Sequence, residues 1–221
     1  MRRFILINSA IVLSISSFAQ MPKEVPDAKA KAILDELSKK TKTYTTVKAE
    51  FEIVTTGADG KQKDKTAGTM WHKGNKYKLE IKGQIIFCDG KTQWTYIKDD
   101  NEVQINDAPD PAKNDNINPS NIFTIYEKNF KYFFEKEEIQ NGATIQIVKL
   151  IPLEPGKKPY HTVKLYIDKT KNQIISVKVM NKDGNVTTIN VKTFITNTDM
   201  PDANFVFNKK DYPGVTETDL R

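Results

Sequence analysis

The stretch Ile85-Ile86-Phe87-Cys88-Asp89-Gly90-Lys91-Thr92-Gln93-Trp94-Thr95-Tyr96 carries the reading of the fold. Two β-prone runs meet at Asp89-Gly90, a strong hairpin signal because a tight I′ turn needs positive φ at both central residues. With a two-residue loop, Ile85, Phe87, Thr92, Trp94 and Tyr96 share one face. Ile86, Cys88, Gln93, Thr95 and Ile97 share the other. A hairpin packed on one side and wet on the other would keep one face polar. Here both faces carry apolar side chains, so apolar neighbours are expected on both sides of the sheet. A three-residue turn would exchange the faces.

Outward from this hairpin the period-two pattern continues. Val47, Ala49, Phe51 and Ile53 alternate with Thr46, Lys48, Glu50 and Glu52, and Tyr77, Leu79 and Ile81 alternate likewise. Asp59-Gly60 turns the chain into 66–71, and 102–106 returns across Asp99-Asp100-Asn101. Later strands are expected at 131–138, 143–151, 162–168, 173–180, 186–194 and 205–207, with hairpins at Asn141-Gly142 and Asp183-Gly184. About ten or eleven short strands joined by tight turns describe a mainly β fold, a single antiparallel meander without an internal repeat. One helix precedes it. Asp27 is placed to cap it, and Ala30, Ile33, Leu34 and Leu37 fall at helical spacing. Lys39, Lys40 and Lys42 suit its C-terminal end.

One stretch departs from the meander. Residues 107–120 are rich in Pro, Asp and Asn, including Pro109, Pro111 and Pro119. A loop of this length inside a compact β domain is usually functional or mobile. It leads into Ser120-Asn121-Ile122-Phe123-Thr124-Ile125-Tyr126, expected to form one or two turns of helix. A lid over the sheet and a plain crossover are both open at this point.

Arg2 and Arg3 precede the apolar run 4–15, and Ser17-Phe18-Ala19 forms a small-x-small cleavage site. Residues 1–19 are therefore expected to be a signal peptide cut near Ala19/Gln20, leaving a single domain over 20–221. The run is too short and too interrupted to span a bilayer. Gln20, not cysteine, follows the cut, which argues against a lipid anchor. The chain is therefore expected to be exported.

The formal net charge is +6, and of 34 basic residues only Arg2, Arg3 and Arg221 are arginine. Nucleic-acid readers lean on arginine's planar fork, so no nucleic-acid partner is expected. Dispersed lysines on strand faces suit solubility and protection against edge pairing. The single cysteine, Cys88, permits no internal disulfide and reads as a small buried hydrophobe.

Catalytic parts are few. Ser38, Ser120 and Ser176 lie outside any nucleophile-elbow motif. His72 and His161 are far apart and, with Cys88, make no metal-ligand spacing. No glycine-rich loop opens a helix to cradle a phosphate. The expectation is a protein that is not an enzyme and needs no cofactor or metal. An exported hydrolase built on an unrecognised carboxylate pair is the alternative that sequence leaves standing.

A curved sheet with an apolar concave face and a helix across its mouth can enclose an apolar ligand. The candidate lining is Leu37, Phe51, Ile53, Trp71, Tyr77, Leu79, Ile86 and Trp94, with Ile122 and Phe123 from the lid. An ordinary filled core explains the same periodicity, and both readings are open.

Several of these stretches also resemble a known family. Gly68-Thr69-Met70-Trp71-His72-Lys73, the hairpin with Asp89-Gly90-Lys91-Thr92-Gln93-Trp94-Thr95-Tyr96, and Ala49-Glu50-Phe51 after the first helix resemble the outer-membrane lipoprotein carrier family LolA. So do Asn118-Pro119 with Ile122-Phe123, and Phe205-Val206-Phe207 with Pro213-Gly214-Val215. The resemblance covers nearly the whole chain after residue 19 and implies an incomplete β-barrel, its concave face covered by helices. It implies a monomeric periplasmic carrier that binds the acyl chains of lipoproteins released by an inner-membrane ABC-type complex and passes them to the outer membrane. In the family an arginine in W-x-K-R-P latches the lid. Here the sequence reads Trp71-His72-Lys73-Gly74-Asn75, so that role falls to Lys73 or Lys76, which lack the planar fork. A periplasmic lipid-binding or sensor module of the same fold is the second reading.

Overall fold

The computed structural model describes residues 27–110, 117, 121, 123–127 and 129–221. The expected signal peptide and Ile122 lie outside the described residues. The first element is helix α1 (Ala28–Thr41). Its N-cap is Asp27, whose carboxylate accepts from the backbone N–H of Ala30 at 2.9 Å. Ala30, Ile33, Leu34 and Leu37 are buried, as their spacing requires, and Lys39 and Lys40 occupy the last turn.

Twelve strands follow among the described residues: β1 (Val47–Thr56), β2 (Gln62–Lys73), β3 (Lys76–Ile81), β4 (Gln84–Cys88), β5 (Thr92–Ile97), β6 (Glu102–Asp107), β7 (Phe130–Gln140), β8 (Ala143–Pro152), β9 (Tyr160–Asp168), β10 (Gln173–Asn181), β11 (Val186–Thr196) and β12 (Thr216–Asp219). They form one sheet in the order β12-β6-β5-β4-β3-β2-β1-β11-β10-β9-β8-β7. The end strands do not pair with each other, so the sheet is an open, curved, incomplete barrel.

The sheet is a meander closed in mid-order by β1 against β11, which joins its two halves. All pairings are antiparallel except the last, where β12 runs parallel to β6. That strand corrects the expected one at 205–207. Phe205 instead ends a 3₁₀ turn, Asp202–Phe205, and the true final strand is Thr216–Asp219. The alternation Phe-x-Phe arises from two rings packing on the sheet, not from membership in it.

The opening hairpin holds its expected faces with a different turn. Phe87 pairs with Trp94 and Cys88 with Gln93, so the loop centres on Gly90-Lys91. Gly90 alone has positive φ, at 91°, as a II′ turn requires of its first central residue. The Asp89 carboxylate accepts from the N–H groups of Lys91 and Thr92, each at 2.8 Å, and this Asx arrangement selects the shifted turn. The shift moves each partner by two residues, which leaves the faces unchanged.

Helix α1 packs on one face, here the inner face, against β7 and β10. Together with Val148, Leu150, Val163, Leu165 and Val177 it forms a filled core over the β7–β11 half of the sheet. The N-terminus of α1 is also fastened to the sheet. A bulge between Phe134 and Lys136 bends β7, and the N–H of Phe134 donates to the Asp27 carboxylate at 2.7 Å.

Candidate functional site

Register assigns each predicted lining residue to a face. Following the pairs Ala49–Met70–Leu79–Ile86–Thr95–Gln104 across six strands defines one row of the inner face, the face on which α1 packs further along the sheet. Phe51, Ile53, Tyr77, Leu79 and Ile86 all face inward by the same register. Within that set burial divides two populations. Leu37, Phe51, Met70 and Leu79 are buried members of the filled core. Ile53, Ile81 and Ile86 are half-buried at its margin and continue it over the β3–β4 part of the sheet.

Tyr77 stands beside this margin, and its hydroxyl donates to Gln93 Oε1 at 2.6 Å. Burial raises its pKa, so the phenol stays protonated. His72 faces inward next to it, and burial holds its pKa below the usual range. Cys88, also inward, is buried with its thiol pKa raised by the same cause, which makes it inert rather than nucleophilic.

The tryptophans belong elsewhere. Trp71 pairs with Lys78, and Trp94 with Phe87 and Ile105, which places both on the outer face, opposite Phe51 and Ile86. Grouping them with the inner residues is corrected by this register. Trp71 has the ammonium groups of Lys78 and Lys48 at 5.1 and 5.6 Å from its ring centroid. A π-face between two cations is an attractive, half-exposed arrangement on a lysine-studded outer surface.

The outer face has its own cover. Residues 199–215 cross β3–β6, placing Phe205, buried completely, with Met200 and Val215 against that side of the sheet. Phe207 and Tyr212 stack at 4.7 Å, and Tyr96 lies 4.4 Å from Tyr212. Phe87 meets both edge-on at 5.9 and 6.5 Å. This segment is the apolar neighbour that the hairpin's second face requires.

Lys73 and Lys76 fasten that segment. Lys73 Nζ donates to the Met200 carbonyl at 2.8 Å and to Asp202 at 2.9 Å, and Lys76 Nζ reaches the other Asp202 oxygen at 2.6 Å. The Lys76 and Lys73 hydrogen bonds lower the Asp202 pKa to about 2. Both lysines therefore grip the C-terminal segment on the outer face, and among the described residues neither holds the 107–126 segment.

Within the 107–126 segment, Ile117, Phe123 and Tyr126 lie against the inner-face core. Phe123 packs on Phe194 with ring centroids 5.0 Å apart, and Tyr44 meets the same ring at 5.6 Å. Ile117 also touches the core. The expected short lid helix is a single 3₁₀ turn, Ile125–Glu127. Glu127 accepts from the Ser38 hydroxyl at 2.7 Å, joining the turn to α1. Tyr126 is buried, which raises its pKa to about 12, and its hydroxyl has no hydrogen-bond partner among the described residues.

Val191 and Phe194 belong to the inner margin but were not legible in the sequence. Phe51 pairs with Val191 and Ala49 with Phe194, three residues apart, because a bulge adds one residue to β11. A bulge erases the period-two signal at the point where it acts.

Residues 42–208 match the family described as outer membrane lipoprotein carrier protein LolA. The chain belongs to this family. The LolA-family chain is 27% identical over 183 residues to an uncharacterized protein of Methanocaldococcus jannaschii, covering 78% of this chain and 50% of that protein. It thus spans half the length of the curated relative it matches. An uncharacterized conserved protein from Thermus thermophilus has a similar structure, with a TM-score of 0.59 at 14% identity, covering 86% of this chain and 99% of that one. A putative outer membrane lipoprotein-sorting protein domain from Vibrio parahaemolyticus gives a TM-score of 0.46 at 13% identity, over 83% of this chain and 98% of that one. The Thermus likeness shows a shared fold and nothing about ligand.

Proposed function

We propose that this LolA-family protein is a periplasmic carrier that binds lipoprotein acyl chains on its inner face and moves lipoproteins from the inner to the outer membrane. An ABC-type releasing complex would supply the acylated cargo, and an outer-membrane acceptor would take it. The observation that carries this reading is the half-buried apolar margin of Ile53, Ile81 and Ile86, which continues the filled core along the inner face, with Phe123 packed on the same core at Phe194. A sheet serving only its own core would close this margin, whereas a carrier needs apolar surface that cargo can complete.

The energetics suit reversible holding. Each buried methylene contributes about 0.8 kcal/mol, so an acyl chain of roughly 15 carbons has on the order of 12 kcal/mol to shield from water. Phe123, packed on Phe194 at the same inner face, would compete with cargo reaching that part of the core and lower the net affinity, which helps delivery.

The test is mass spectrometry of protein purified from periplasm. Wild-type protein is expected to carry acylated lipid or lipoprotein, and Ile86→Glu to lose most of it. Ile139→Glu, at an exposed position on β7, is the matched control and keeps its occupancy. Equal occupancy in a folded Ile86→Glu protein would overturn the reading.

A further inference from the structure

We infer that the inner face of β4–β6 receives the uncharged polar linkage of an acylated ligand, an ester, amide or hydroxyl, and rejects an anionic headgroup. This rests on the acyl-chain reading above and specifies its ligand class. Beyond the apolar margin the inner face turns polar within one strand, Ile97 excepted. Ile86 pairs with Thr95 and Thr95 with Gln104; Ile81 pairs with Gln84; Cys88 pairs with Gln93 and Gln93 with Asn106. Directly paired side chains stand about 5 Å apart, so a chain lying on Ile81 and Ile86 delivers its carbonyl end to these groups.

All five polar residues are half-buried. Gln84, Thr95 and Asn106 make no side-chain hydrogen bond among the described residues. Gln93 accepts from Tyr77, which leaves its amide N–H groups to donate, and Gln104 reaches only Glu102, at 3.5 Å. Half-desolvated donors and acceptors without partners gain from a ligand that supplies both.

Charge sets the sign of the selectivity. The chain has 34 basic residues, yet no inward position of β3–β6 holds lysine or arginine. Lys73, Lys76 and Lys78 all face outward. The one ionisable carboxylate on these inward positions is Glu102, paired with Ile97. A phosphate drawn onto this surface would be partly desolvated without a cation and would face that carboxylate. A glycerol ester or an amide meets no such cost. Such a surface distinguishes acylated, uncharged linkages from the anionic phospholipids that share the same chains.

The experiment measures binding of two lipids of equal chain length to delipidated full-length protein below their micelle concentrations. The probes are 1-palmitoylglycerol and 1-palmitoyl lysophosphatidic acid, followed by displacement of a fluorescent fatty acid. Wild type is expected to prefer the glycerol ester by tenfold or more. Gln104→Lys narrows that gap at least threefold by strengthening the phosphate-bearing lipid, whereas Thr69→Lys, on the outer face, leaves it unchanged. Equal affinity for the two lipids in wild type, or a gap untouched by Gln104→Lys, overturns the selectivity and leaves acyl-chain binding intact. Failure of both lipids to bind overturns the acyl-chain reading beneath it.

Discussion

Gly68 shows how little room the inner face has where it is filled. It sits mid-strand in β2, opposite Phe51 and Ile81. A Cβ there would lie 2.5 Å from the Glu80 carbonyl oxygen, 2.7 Å from Cζ of Phe51 and 2.8 Å from Cγ2 of Ile81. The carbonyl belongs to the neighbouring strand and cannot swing aside. Glycine in a strand interior costs backbone entropy, and here the Phe51 ring lying over it explains its presence. Gly68→Ala is expected to destabilise by about 1–3 kcal/mol, the usual range for overpacking, read as a shift in the urea midpoint. An unchanged midpoint would mean that Phe51 does not occupy the space over Gly68.

At the scale of elements, two additions to the meander decide which side of the sheet is available. Helix α1 is one. Leu34 is buried against the core, and Leu34→Ala is expected to cost about 2–5 kcal/mol by thermal or urea unfolding. A cost below about 1 kcal/mol would place the helix loosely on the sheet. The C-terminal segment is the other, held by the Lys76–Asp202–Lys73 contacts. Asp202 has a folded pKa depressed to about 2, so its contribution is complete above the unfolded carboxylate range near 4 and is lost as pH falls toward 2. Asp202→Asn is expected to raise hydrogen exchange in 199–215 at neutral pH while α1 keeps its protection. The contacts are solvent-exposed, so the effect is local opening, not global unfolding.

For the molecule as a whole, the depressed groups share one sign. Backbone hydrogen bonds from Ala30 and Phe134 lower the Asp27 pKa, the Lys65 hydrogen bond lowers that of Glu52, and the Gln146 hydrogen bond lowers that of Glu137. Each binds its proton more weakly when folded, so each contributes stability above the unfolded carboxylate range and loses it as pH falls. His72, depressed by burial, works in the same direction from about pH 6.5 downward. Tm is therefore expected to fall from pH 7 to pH 5 through His72 and more steeply below pH 4 through the carboxylates. His72→Gln removes the upper limb. A Tm that rises on acidification would contradict these assignments.

Much of this architecture was legible from local signals. Asp27 with Ala30, Ile33, Leu34 and Leu37 announced the helix, and alternation at 47–53 and 77–81 announced strands whose alternating residues share one face of the sheet. Those signals need only neighbours along the chain. The misplaced residues needed partners far away. Trp71 and Trp94 alternate correctly but on the face opposite Phe51, and nothing in their own strands says which face meets α1. Lys76 and Lys73 find Asp202 126 and 129 residues later. Phe205 and Phe207 resemble a strand in isolation, yet Phe205 is buried under the sheet and the Phe207 ring packs on Phe87 and Tyr96.

By itself, then, the sequence determined every strand but the last, their order along the chain, the helix, and the fact that the hairpin around Gly90 needs apolar cover on both faces. Periodicity and turn chemistry act over a few residues, and they suffice for that much. Only the tertiary structure decided which cover lies where: the C-terminal rings on the outer face, and on the inner face a core that is filled beneath α1 and open at Ile53, Ile81 and Ile86. That allocation depends on register across many strands, on bulges such as the one opposite Phe51, and on contacts between residues more than a hundred positions apart. No short-range rule contains it.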